Sequence, residues 1–469
     1  MEKAEGGIIL PGFPFLLSRD ALRTGNGPYG CIRTGGLSSP FQLCERVCDM
    51  SRLIVEGLHR LNGAIRIHGA KNSALPLLAA TLLADGPSEI SNCPRLSDVD
   101  ASIAILRYLG CTVSRQDDVV MVDPSGMCRG DVPDYLMREM RSSIVFLGAI
   151  AARMGVAQMS FPGGCELGPR PIDLHLSALR QLGLDITEER GRLKCRTDGM
   201  RGTTITLSLP SVGATENILL ASATAEGTTV IVNAAREPEI SDLCAYLTAC
   251  GAHIHGAGEG TITIEGVSRL AGCRHRVIPD RIETATYMAA AAVTGGSLML
   301  RNVCSAHISA VIPAFEEAGC RIAVWDDELL VSAPARLRRI RTVRTTPYPG
   351  FPTDAQAPLM AMACVADGTS VFIENIFESR YKHAGELMRL GAKIKVEGRV
   401  AVVEGIPVLS GAQVECTDLR GGAAMVVAGL AAEGETEITQ LHHLDRGYAD
   451  LERSLTDVGA VIRREEDEN

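Results

Sequence analysis

Leu109-Gly110-Cys111-Thr112-Val113, Leu390-Gly391-Ala392-Lys393-Ile394 and Val458-Gly459-Ala460-Val461-Ile462 are three copies of one phrase. The architecture follows from it. The pattern Gly-x-x-[Val/Ile] follows an apolar helical stretch six times, at Gly110, Gly183, Gly251, Gly319, Gly391 and Gly459. An earlier signature, a run of small residues ending in glycine before an apolar strand, stands at Gly86, Gly155, Gly227, Gly296, Gly368 and Gly434. The first set recurs at steps of 69, 72, 69, 72 and 66 residues, and each second glycine trails its partner by 23 to 28. Two registers held over six copies define a repeat of about 70 residues.

One unit shows the local logic. Ala74 to Leu83 is densely apolar and too long for a strand, so it predicts a mostly buried helix. Ala84-Asp85-Gly86-Pro87 ends it, with Gly86 expected in the left-handed conformation. Ser88-Glu89-Ile90 is a short strand, and Asp98 to Leu109 predicts a second helix, with Asp98 or Asp100 as its N-cap. Gly110 closes that helix and Cys111-Thr112-Val113 opens another strand. The unit is β-α-β-α-β-β, and three such units around a shared axis make a globular domain. The fold class is α/β, with six units forming two domains. Aromatic residues are 4% of the chain and glycines number 48, which favours tight helix packing.

Composition narrows the function. A net charge of -10 argues against nucleic acid and anionic membrane as partners. No run of eighteen apolar residues occurs, so no membrane insertion is expected. Fifteen cysteines without paired spacing read as reduced thiols of a cytoplasmic protein. No histidine and cysteine set has the spacing of a metal site, and neither metal nor cofactor is expected. Residues 1–49 lie outside the repeat and are rich in glycine, proline and serine, as a disordered extension or a misassigned translation start would be. Gly256-Ala257-Gly258-Glu259-Gly260 lacks a following helix and reads as a turn between strands.

The register also locates chemistry. Fourteen or fifteen residues before each first glycine, where the unit's first helix starts, stand Lys71, Arg141, Gly213, Arg281, Asp354 and Arg420. Cations at helix N-termini oppose the helix dipole. Four of them at equivalent starts point to an anionic ligand that offsets the repulsion. A second constellation is Pro162-Gly163-Gly164-Cys165-Glu166-Leu167-Gly168-Pro169-Arg170-Pro171, a glycine-rich segment carrying a thiol near a cation, as a mobile lid would.

Gly69-Ala70-Lys71-Asn72-Ser73-Ala74-Leu75-Pro76, the Gly164-Cys165 lid with Arg170-Pro171, Ser211-Val212-Gly213-Ala214-Thr215, Asn233 to Glu239, Pro279 to Thr284, Phe351-Pro352-Thr353-Asp354-Ala355-Gln356-Ala357 and Asp445-Arg446-Gly447-Tyr448 carry a family resemblance. They resemble the UDP-N-acetylglucosamine 1-carboxyvinyltransferases, enolpyruvyl transferases of peptidoglycan synthesis, from about residue 51 to 464. The resemblance implies two inverse α/β-prism domains of three repeats each. It implies transfer of the enolpyruvyl group of phosphoenolpyruvate to the 3'-hydroxyl of UDP-N-acetylglucosamine, with sensitivity to fosfomycin. Catalytic roles then fall to Cys165, Asp354 and Lys71. Phosphoenolpyruvate is assigned to Lys71, Asn72, Arg170, Arg420 and Arg446. The UDP-sugar is assigned to Asn72, Arg141, Arg170, Pro171, Ile172, Asp173, Leu174, Ser211, Val212, Gly213, Asp354 and Ile376. By the same resemblance, Cys165 is expected to protonate the methylene carbon and Asp354 to take the hydroxyl proton.

The expected domains are 50–70 with 279–469, and 71–278 carrying the cysteine lid. No obligate protein partner is implied. The sister enzyme acting on shikimate 3-phosphate lacks the cysteine lid and the Gly-Ala-Lys-Asn start. A non-catalytic UDP-sugar sensor would have lost Cys165, Lys71 or Asp354. An RNA-end-processing protein on a related repeat fold would need a less acidic surface and an adenylation motif.

Overall fold

The computed structural model describes residues 51–161 and 172–466. All six second-signature glycines take left-handed φ values between 94° and 109°. Each ends a helix in the same way, because the amide two positions past the last full turn reaches back five residues. Cys111 N bonds Leu106 O, Leu184 N bonds Leu179 O, Ala252 N bonds Leu247 O, Cys320 N bonds Phe315 O, Ala392 N bonds Leu387 O, and Ala460 N bonds Leu455 O, all at 2.9–3.1 Å. Donor and acceptor residues are apolar and buried in every case. This is the glycine-centred helix end with its apolar clasp, and it explains why the phrase repeats.

The first signature is looser. Gly155, Gly227, Gly368 and Gly434 have positive φ, but Gly86 does not, and in the fourth unit Gly295 takes that role instead of Gly296. The expectation of a left-handed Gly86 is therefore corrected: a 3-10 turn, Thr81–Leu83, already bends the chain out of the helix Lys71–Ala80.

Each unit owns one four-stranded sheet with the same pairing. In the second unit Asp131–Val132 runs parallel to Val156–Ser160, which is antiparallel to Arg192–Arg196, which is antiparallel to Asp185–Glu189. The sheets close two rings. Arg274–Arg276, at the end of the third unit, pairs in parallel with Ser88–Ser91 of the first. Asn62–Arg66 pairs in parallel with Ser297–Arg301 of the fourth unit. Arg52–Glu56 lies between Glu435–Thr439 and Val461–Glu465 in the sixth.

Sheets alternate buried and exposed residues, whereas the first helices of the units are buried almost all round. Helices therefore sit inside and sheets outside, as inverse prisms of three repeats each. Arg281–Val293, Thr353–Cys364 and Leu419–Leu430 pack on one another at the centre of one ring. One apolar core runs from Ala74 to Val277 and adds Ala449, while the other joins Leu53–Ile67 to Ala285–Ile462. Gly256 and Gly258 both have φ of 81° in the turn between His253–His255 and Thr261–Glu265, as the sequence predicts.

Candidate active site

The register of helix starts holds. Lys71 and Arg281 are the first residues of their helices, while Gly213, Asp354 and Arg420 are second in theirs. Arg141 opens a 3-10 turn, Arg141–Val145, that leads into Phe146–Met154.

Asp98 organises the first cluster. Lys71 Nζ lies 2.7 Å from Asp98 Oδ2. Arg446 Nε donates to Asp98 Oδ1 at 2.9 Å, and its Nη2 donates to Oδ2 at 3.4 Å. The Asp98 side chain is 1% exposed. Burial by itself raises a carboxyl pKa, but Lys71 and Arg446 outweigh it and hold Asp98 below its usual range. Burial also lowers Lys71, which Asp98 opposes and the charges of Arg446 and Arg420 reinforce. Removing one member of such a buried group strands a charge, at a cost of about 3–5 kcal/mol. The expectation of Asp98 or Asp100 as N-cap is corrected. Ser97–Leu109 starts one residue earlier with Leu96 at the cap, and Asp98 turns inward from the first turn as a counter-ion. No periodic signal in the sequence marks that role.

Asp354 organises the second cluster. Arg380 Nη2 donates to its Oδ1 at 2.8 Å and Arg420 Nη2 to its Oδ2 at 3.3 Å. Both arginine side chains are 3% exposed, against 28% for Asp354, so the carboxylate faces outward with the cations behind it. Arg420 Nη1 donates to the Tyr448 hydroxyl at 3.1 Å, which lies 2.9 Å from Thr286 Oγ1. Buried Glu374 ties this cluster down. It accepts from Thr353 Oγ1 and Thr345 Oγ1 at 2.9 Å each, from Ile376 N at 2.7 Å and from Phe377 N at 3.0 Å. Half-buried Ile376 is thereby fixed beside the Asp354 helix. Arg380 and Glu374 were not legible as site residues.

Ser211, Val212 and Gly213 form a group of their own. Ser211 Oγ caps its helix by accepting from Ala214 N at 3.3 Å. A Cβ on Gly213 would lie 2.9 Å from His175 Cε1, so only glycine admits that ring. His175 Nδ1 lies 2.9 Å from Asn217 Nδ2, and burial pushes the imidazole down to about 4, keeping it neutral. Asn217 also bonds Ile144 O at 3.0 Å and Gly148 N at 2.8 Å. These contacts seat Ser211–Gly213 against the helix Asp173–Gln181, preceded by buried Ile172 and opened by exposed Asp173 and half-buried Leu174. Asn72 is half-buried beside Lys71. Cys165, Arg170 and Pro171 lie outside the described residues.

A further cluster surrounds Arg281, whose Nε and Nη2 grip Glu239 at 2.9 and 3.3 Å. Its guanidinium lies 5.7 Å from the Tyr348 ring, and Tyr348 N donates to Glu237 Oε1 at 3.4 Å. Burial, with Glu239 and then Glu237 adding to it, pushes Glu216 up to about 8. Glu216 is thus a neutral acid at pH 7. The charges of Arg446 and Arg420 both reach Lys71, and that of Asp354 reaches Arg281. Cations of the Asp98 and Asp354 clusters thus lie within electrostatic reach of one another, an arrangement suited to an anion. Among the described residues, no group of three or more His, Cys, Asp or Glu side chains is arranged to hold a metal ion. No helix there is long and apolar enough to cross a membrane.

Helices inside and sheets outside, in two rings of three repeats, are the fold of the enolpyruvyl transferases. The EPSP synthase (3-phosphoshikimate 1-carboxyvinyltransferase) family model matches residues 55–455, and the chain belongs to this family. Its relatives identify the branch. The chain is 49% identical over 415 residues to UDP-N-acetylglucosamine 1-carboxyvinyltransferase 2 of Caldanaerobacter subterraneus, covering 88% of this chain and all of that one. It is 50% identical over 419 residues to UDP-N-acetylglucosamine 1-carboxyvinyltransferase 1 of Symbiobacterium thermophilum, covering 88% and 95%. The solved structure of the enolpyruvyl transferase NikO from Streptomyces tendae superposes with a TM-score of 0.81 at 27% identity, covering 90% of this chain and 100% of that one. An EPSP synthase from Acinetobacter baumannii shares the fold, with a TM-score of 0.70 at 19% identity over 89% of this chain and 100% of that one.

Proposed function

We propose that this chain transfers the enolpyruvyl group of phosphoenolpyruvate to the 3'-hydroxyl of UDP-N-acetylglucosamine and releases phosphate. This is the first committed step of peptidoglycan synthesis and a cytoplasmic one. The observation that carries the reading is the pairing of Lys71 and Arg446, 375 residues apart, on one buried carboxylate. Two cations against one anion leave local positive charge for a phosphorylated acid in a molecule of net charge -10. Relatives 44–50% identical carry the corresponding name.

The reaction runs by addition and elimination. Cys165 gives its proton to the methylene carbon while the sugar hydroxyl oxygen bonds to the adjacent carbon, and Asp354 takes the hydroxyl proton. The tetrahedral intermediate then gives a methyl proton back to the Cys165 thiolate while phosphate leaves with the proton that Asp354 took, restoring the carbon–carbon double bond and both side chains. Lys71, Arg170, Arg420 and Arg446 hold phosphoenolpyruvate. Asn72, Arg141, Ile172 to Leu174, Ser211 to Gly213 and Ile376 hold the UDP-sugar. The domains of this reading are 50–70 with 279–469, and 71–278. Phosphate release is expected with phosphoenolpyruvate and UDP-N-acetylglucosamine together, and not with either alone. Release with shikimate 3-phosphate in place of the UDP-sugar would overturn the assignment.

A further inference from the structure

Asp242 lies on the helix Pro238–Ala249, on no motif with an assigned role, and its side chain is 4% exposed. Its carboxylate receives three donors from two other segments. Ser73 Oγ donates to Oδ2, Ile278 N donates to Oδ2 at 3.3 Å, and His275 Nε2 lies 2.8 Å from Oδ1. The His275 ring is held edge-on by Tyr246 at 5.7 Å between centroids. Ser73 stands two residues after Lys71, and the carbonyl of Ile278 accepts from Ala70 N at 2.7 Å. Asp242 therefore reaches the Lys71 turn from both sides. The helix Lys71–Ala80 has no capping side chain of its own, because Ala70 occupies that position. Its first turn is placed by carboxylates from elsewhere, with Asp280 Oδ2 accepting from Lys71 N at 3.3 Å.

We propose that Asp242, acting through Ser73, is a positioning residue that sets where Lys71 enters the anion site. A carboxylate has only acceptors, so it satisfies all three donors at once, and an asparagine there would turn an N–H toward one of them. Because Lys71 is buried against Asp98, a small displacement of its turn moves the ammonium away from the phosphate it is proposed to hold. Effects of this kind reach about a hundredfold for a 1 Å misplacement. The inference rests on the proposed function for its kinetic readout, and a second readout stands without it.

The test uses Asp242→Asn, Ser73→Ala, their double variant and Ser73→Thr in the full chain. With wild-type turnover in hand, each of the first two is expected to raise KM for phosphoenolpyruvate about tenfold, with UDP-N-acetylglucosamine affinity unchanged. The double variant should be no worse than Asp242→Asn alone, and Ser73→Thr, which keeps the hydroxyl, should restore the wild-type value. Independently of turnover, acetic anhydride should label Lys71 about tenfold faster in Asp242→Asn and Ser73→Ala, read by peptide mass spectrometry. Exposed Lys393 should be labelled at its wild-type rate. Unchanged Lys71 labelling, additive effects, or equal losses for both substrates would overturn the proposal. Absent wild-type turnover would overturn the functional reading and leave the labelling experiment to decide this one. If Asp242→Asn fails to fold, Ser73→Ala against Ser73→Thr carries the same comparison.

Discussion

Glu216 couples one residue to the stability of the fold. Its carboxyl is raised by burial first, then by Glu239 and Glu237, from an ordinary value of 4.5 to about 8. The folded chain binds a proton there that the unfolded chain has released. Stability from this group is complete below pH 4.5 and is lost as pH rises through about 8. Glu216→Gln should flatten that loss, so the difference in melting temperature between pH 5 and pH 8 shrinks in the variant. An unchanged difference would remove Glu216 from the account. Cys165 is the residue on which the proposed chemistry turns. A thiol of ordinary pKa, about 8.5, keeps its proton near neutral pH yet can give it to carbon in a closed site. Cys165→Ala should abolish phosphate release while retaining UDP-sugar binding by calorimetry. Cys165→Asp should restore turnover, with desolvation raising the new carboxyl pKa, and should resist fosfomycin. Wild-type turnover in the Ala variant, or unaltered inactivation in the Asp variant, would place the reactive thiol elsewhere.

The element that repeats is the glycine helix end, and its six copies differ in what surrounds them. At Gly391, φ is 94° and an added Cβ would meet nothing within 4 Å, so Gly391→Ala tests the left-handed backbone alone. That conformation costs an L-residue about 1–2 kcal/mol. At Gly110, φ is 103° and the Cβ would also fall 2.5 Å from Gly126 O, a contact the backbone cannot relieve cheaply. Gly110→Ala should therefore lower the urea midpoint further than Gly391→Ala, by at least ~1 kcal/mol in derived stability. Equal losses would show that the clasp, and not the neighbouring loop, sets the requirement for glycine.

In the whole molecule, a strand from before the first full unit completes the sheet of the last one. Arg52–Glu56 is an inner strand of the sixth sheet, paired on both sides. Residues before it lie outside the repeat, and the Caldanaerobacter relative is matched over its whole length by 88% of this chain. A chain starting at Met50 should match the full chain in melting temperature and phosphate release. One starting at Leu58 should fail to fold, because Glu435–Thr439 and Val461–Glu465 lose the strand between them. A stable protein from Leu58 would contradict the ring closure.

The six-unit architecture, the helix ends and the helix starts that bear charge are written in the order of residues along the chain. Those properties are local: a glycine φ, an apolar clasp and a helix period leave their mark within a few residues of chain. The sequence also marked Lys71, Asp354, Arg420 and Arg446, through the register or through motifs held in order. The structure alone decided what those charges face. Asp98 read as a helix cap because a carboxylate in a first turn is ordinary there. Its partner Arg446 lies 348 residues away, and a pairing across that separation leaves no periodic trace. Arg380, Glu374 and Asp242 carry no local signal for the same reason. Their roles depend on which donors the closed rings bring to a buried carboxylate, and only tertiary packing sets that.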